Sequence, residues 1–125
     1  MITHDMSNAS PIGLLISNPL DAKLMRHFLA SMGHGVSLLT GAAEDLREIE
    51  GSGLILADET CAARHVERLL QLKRAAEPFL LPVLVLAGEK ADASRWIKRG
   101  FDDVLRMPVI KAELMVRLET FLRLR

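Results

Sequence analysis

Residues 54–88 read LILADETCAARHVERLLQLKRAAEPFLLPVLVLAG, and this stretch decides the fold. It opens on an uninterrupted apolar run, Leu54–Ala57, that stops at Asp58. It closes on a second such run, Val83–Ala87, introduced by Pro82 and followed by Gly88. Runs this short, with an apolar residue at every position, suit strands covered on both faces, as in a parallel sheet. Between them Ala62, Val66, Leu69 and Leu70 recur at helical spacing, and the pattern fades near Pro78. Strand, helix and strand in this order form a crossover unit of right-handed type.

The same alternation extends outward in both directions. Apolar runs at Ile12–Ile16 and Val36–Leu39 come before it, and a weaker one at Asp103–Leu105 follows. Helical stripes fill the gaps between them. The first joins Leu24, Met25, Phe28, Leu29 and Met32 and stops at Gly33, while a short second carries Ala42, Leu46 and Ile49. The fourth groups Ala93, Trp96, Ile97 and Phe101 and is interrupted at Gly100. The last joins Ile110, Leu114, Leu118, Phe121 and Leu122, with Glu113 and Arg117 paired at i,i+4 on its other side. The order βαβαβαβαβα predicts one α/β domain, a parallel sheet with helices on both faces. Residues 1–10 have no periodicity and are read as a disordered tail ahead of a domain spanning 11–125.

Composition agrees with that reading and narrows the function. The chain has 125 residues, half of them apolar, enough for one sizeable core. Sixteen basic and sixteen acidic side chains cancel, whereas a nucleic-acid binder normally carries a basic excess, so no direct nucleic-acid contact is expected. No run approaches the roughly 20 apolar residues of a membrane span. The first ten residues lack the apolar region of a secretion signal. The single Cys61 cannot form an internal disulfide. A cytoplasmic protein with no membrane partner is the expectation.

In open α/β sheets, function gathers at the carboxyl ends of the strands. Here those ends are Ser17-Asn18, Thr40, Asp58-Glu59, Ala87-Gly88 and Arg106-Met107-Pro108. Three pieces carry a family likeness: Leu54–Asp58, a strand ending in aspartate; Leu81-Pro-Val-Leu-Val-Leu-Ala87, a strand introduced by proline; and Gly100-Phe-Asp-Asp-Val-Leu-Arg-Met-Pro108. In this order and spacing they resemble the receiver domain of two-component response regulators, the CheY-like or flavodoxin-like fold. The resemblance runs from about Ile12 to Leu124. It implies a three-layer sandwich, with a five-stranded parallel sheet in the order 2-1-3-4-5 and five helices. It implies a signalling module rather than an enzyme.

Receivers take a phosphoryl group onto an aspartate in a phosphorelay. Two carboxylates after the first strand hold Mg²⁺, a hydroxyl follows the fourth strand, and a lysine precedes the proline after the fifth. Mg²⁺ needs oxygen ligands, and the metal and lysine offset the charge of the transferring group. Carried over by the resemblance, Asp58 is the phosphoacceptor candidate. The acidic pair falls at Ile16 and Ser17, or at Ser17 and Asn18, and neither pair contains a carboxylate. Ala87 stands at the hydroxyl position, Met107 at the lysine and Val104 at a switching aromatic. The bond before Pro108 is expected to be cis, as in the family. Arg106 should point away from where Met107 points, and Glu59 should diverge from Asp58, because strand side chains alternate.

The resemblance therefore implies an atypical receiver with a degenerate pocket and no cofactor. Such a module would work through protein partners, either an output domain or another signalling protein. A homodimer through the fourth helix, fifth strand and fifth helix is the other route, with Trp96, Val104 and the Arg117–Arg123 side as candidate surface. The Leu- and Arg-rich ending resembles segments that lead from a receiver into an output module, so a domain excised from a longer signalling protein is expected. The alternative is a working receiver phosphorylated on Asp58 by a histidine kinase, with Mg²⁺ recruited by Glu59. A third reading is a flavin or small-molecule binder at the same sheet end. Plainer roles exist as well. Asp58 suits the cap of the following helix. His4, His27, His34 and His65 lack metal-ligand spacing, and Cys61 has no activating histidine beside it, although a helix start could lower its pKa.

Overall fold

The computed structural model describes residues 11–40 and 46–124. The proposed tail at 1–10 and Ala42 of the second stripe lie outside them. Five parallel strands form the sheet: β1 Ile12–Ile16, β2 Val36–Thr40, β3 Leu54–Asp58, β4 Val83–Ala87 and β5 Asp103–Arg106. Their order is β2-β1-β3-β4-β5, so the chain reverses direction of growth between β1 and β3. Among the described residues there are five α-helices: α1 Pro19–Ser31, α2 Glu59–Arg64, α3 Val66–Ala76, α4 Ala93–Lys98 and α5 Lys111–Arg123.

Period-two alternation on uniformly apolar strands divides the interior into two cores. Leu15, Ile55, Ala57, Val83, Val85 and Ala87 face the layer of α2, α3 and α4, where they meet Cys61, Ala62, Leu69, Trp96 and Phe101. Ile12, Leu14, Ile16, Leu54, Leu56, Leu84 and Leu86 face the opposite layer, where they meet Ala22 and Leu29 of α1 and Leu114 and Leu118 of α5. Gly13 sits where β1 is crowded from below. A Cβ there would lie 2.7 Å from the Ser52 hydroxyl and 3.1 Å from Cβ of Ile49.

Four details of the helical reading are corrected. The second stripe forms only a 3-10 turn, Arg47–Ile49, although Leu46 and Ile49 are buried as their spacing required. The third is two helices, divided at His65 (φ −116°, ψ 25°). That division lets Cys61 and Ala62 of α2 and Leu69 of α3 reach the same core. Leu24 and Ile110 are exposed: α1 turns Ala22 and Leu29 inward, and Ile110 precedes the first turn of α5. Trp96, expected on the surface, is buried, while its neighbour Ile97 is exposed. The indole packs 5.7 Å from the Phe101 ring, which holds it on the core side of α4.

Candidate functional site

The carboxyl edge of the sheet brings β1, β3, β4 and β5 together around Asp58. Extended backbone at Asp58 (φ −74°, ψ 170°) ends β3 and starts α2. Its Oδ1 accepts from the Cys61 backbone N–H at 2.8 Å, as a helix-capping aspartate does. Its Oδ2 accepts twice from Ser17, from the backbone N–H at 2.7 Å and the hydroxyl at 2.6 Å. Burial works to raise the Asp58 pKa, but the bonds from Ser17 and Cys61 outweigh it, and the carboxyl lies below its ordinary value of 3.8. Asp58 is therefore an anion held by three neutral donors.

The other strand-end residues disperse. Ile16 is buried in the α1–α5 core and Ala87 in the opposite core, so neither presents a polar group to Asp58. Asn18 turns to cap α1, its Oδ1 accepting from the N–H groups of Leu20 and Asp21 at 2.9 and 3.0 Å. The Met107–Pro108 bond is cis. Met107 packs against the α1–α5 core and lines an apolar hollow beside Leu24, Met25 and Val109.

Two side chains take parts that strand alternation alone did not show. Glu59, in the first turn of α2, faces away from Asp58. Its Oε1 accepts from the Gly88 N–H at 2.9 Å and its Oε2 from the Trp96 indole N–H at 3.2 Å. One carboxylate thereby ties α2 to the loop after β4 and to α4. Arg106, at the end of β5, donates through Nη1 to the carbonyls of Glu89 at 2.9 Å and Ala91 at 2.7 Å. It staples the β4–α4 loop instead of reaching Asp58.

This donor set does not fit Mg²⁺. A hard cation of that size is normally held by one or two carboxylates with further oxygens. Among the described residues only Asp58 turns a carboxylate into this pocket, and both its oxygens are engaged; Glu59 and Asn18 are committed elsewhere. Among the described residues no group of three His, Cys, Asp or Glu side chains could hold a metal ion. Cys61 does not follow the expectation that a helix start lowers its pKa. Burial, and then the charge of Asp58 beside it, push the thiol up to about 12.

No family model and no curated protein sequence matches the chain. Solved structures do. FixJ from B. japonicum superposes with a TM-score of 0.73 at 22% identity, over 91% of this chain and 58% of that one. The signal receiver domain of a putative LuxO repressor protein from Vibrio parahaemolyticus gives 0.69 at 19% identity, covering 91% of each chain. NtrX from Brucella abortus gives 0.70 at 20% identity, over 91% of this chain and 26% of its own. The chain has the receiver-domain fold. Its length is that of an isolated receiver domain and about a quarter of NtrX. Asp58 occupies the end of the central strand of that fold, and the groups hydrogen-bonded to it are neutral donors. No helix among the described residues is long and apolar enough to cross a membrane.

Proposed function

We propose that this chain is an atypical receiver of a two-component signalling protein, acting by protein contact instead of by accepting a phosphoryl group. One observation carries the proposal: both Asp58 oxygens are taken by neutral donors of Ser17 and Cys61, in a pocket whose donors cannot hold Mg²⁺. A phosphoryl group brings two negative charges, and the hydrogen-bond donors that hold Asp58 are neutral groups that do not offset them. Contact would run through the α4–β5–α5 face to a second copy, an output domain or a partner signalling protein. Ile97 of α4 and Val116 of α5 are exposed apolar side chains, and Val104 of β5 is partly buried against the core.

The test is incubation with a small acyl phosphate and Mg²⁺, read by intact mass. The expected spectrum is unchanged. A gain of one phosphoryl group that disappears in Asp58→Asn overturns the proposal and supports phosphorylation by a histidine kinase. One feature favours that second reading: Asp58 remains ionised near neutral pH, as a nucleophilic carboxylate must.

A further inference from the structure

The loop after β4 and helix α4 carry Lys90, Arg95, Lys98 and Arg99. None of the four makes an ion pair among the described residues. Three of them, Lys90, Arg95 and Arg99, line one cleft of about 630 Å³ between the first turns of α2 and α4. Three basic side chains against the two carboxylates of Glu59 and Asp92 leave this lining with a small positive excess, in a chain whose charges sum to zero. Both carboxylates are hydrogen-bonded to neutral donors and both are still charged. Glu59 is spent on Gly88 and Trp96, and Asp92 caps α4 through the N–H and hydroxyl of Ser94. Ala63 and Ala91 add apolar lining.

We propose that this cleft receives an acidic segment of a partner protein, a stretch with spaced carboxylates and an apolar side chain between them. The carboxylates meet Lys90, Arg95 and Arg99, while the apolar group lies against Ala63 and Ala91. Charge complementarity of this kind speeds encounter and selects partners. A nucleic acid or nucleotide fits less well. Single strands bind by stacking bases on open aromatic faces, but Trp96 is covered by Arg99, 5.1 Å from the ring, and by Phe101. A continuous phosphate chain also cannot avoid Glu59 and Asp92, as spaced side chains can. The cleft lies on the α2 side of α4, away from the α4–β5–α5 face, so the inference stands whether or not that face pairs.

The test is fluorescence anisotropy with a labelled synthetic peptide rich in glutamate and leucine, titrated with the full chain. Saturable binding that weakens with added salt is expected. Two charge-reversed proteins localise it, Arg95→Glu/Arg99→Glu and Lys90→Glu/Arg95→Glu. The second leaves Arg99 over Trp96, which guards against misfolding of the first. In whichever variant keeps the wild-type circular dichroism, the dissociation constant should rise about tenfold, equivalent to ~1.4 kcal/mol. The inference is overturned by absence of saturable binding, by unchanged affinity in the folded variants, or by tighter binding of ATP or a single-stranded oligonucleotide than of the peptide.

Discussion

Ser17 explains how the Asp58 carboxylate is held at the carboxyl end of β3. A carboxylate at a buried strand end needs partners, and two bonds from one serine, with a third from the Cys61 amide, provide them. Replacing Asp58 by alanine should destabilise the fold at neutral pH by about 1–2 kcal/mol, the usual range for a lost helix cap. The pH dependence has a definite sign. The folded-state pKa is depressed, so the contribution is present above the ordinary value of 3.8 and is lost as pH falls through the lower folded value. Urea unfolding of wild type and Asp58→Ala should therefore differ at pH 7 and converge under strongly acidic conditions. Cys61 gives a second residue-level prediction. Burial and the Asp58 charge keep it a thiol, so iodoacetamide should modify it slowly in the folded protein and rapidly in urea, as mass spectrometry would record.

Each element's ends do more than its middle to shape the site. Asn18 and Pro19 start α1, and Asn18 is thereby withdrawn from the pocket. Glu59 fastens α2 to the β4–α4 loop, and Arg106 fastens the same loop from β5, so the ends of β4 and β5 hold one arrangement. The exit of α4 depends on Gly100, whose φ of +111° lies in the left-handed region. A Cβ there would also come within 2.8 Å of Leu70 Cδ2. Gly100→Ala combines backbone strain with that close approach and should cost about 1–3 kcal/mol in chemical denaturation. The ion pair of Lys73 with Asp102, 2.5 Å and mostly buried, ties α3 to the start of β5 from the other end of the sheet.

Over the whole molecule, two cores on opposite faces of one sheet make a frame, and the proposed contacts fall on its carboxyl edge and its α4–β5–α5 side. If the latter pairs copies of the chain, Val116→Glu should move sedimentation-velocity profiles of a concentrated sample toward monomer, with circular dichroism unchanged. Val116 is 60% exposed, so the substitution leaves the core intact. The alternation of apolar runs and helical stripes was enough to predict the α/β class, and the strand-end rule was enough to point to Asp58 and Met107. The division at His65, the inward turn of Trp96 and the roles of Glu59 and Arg106 were not legible. Each depends on which neighbour lies across space, at sequence separations that no local periodicity reports.

Sequence alone determined the α/β alternation, the parallel sheet and which side chains stand at the strand ends. These follow from periodicity and side-chain identity, which are local properties of the chain. Only tertiary structure decided which partners those side chains take. Ser17 and Asp58 are 41 positions apart and meet because β1 and β3 are neighbours in the sheet. Glu59 reaches Trp96 because α2 and α4 share one layer. A hydrogen bond forms by distance and direction, and folding sets both.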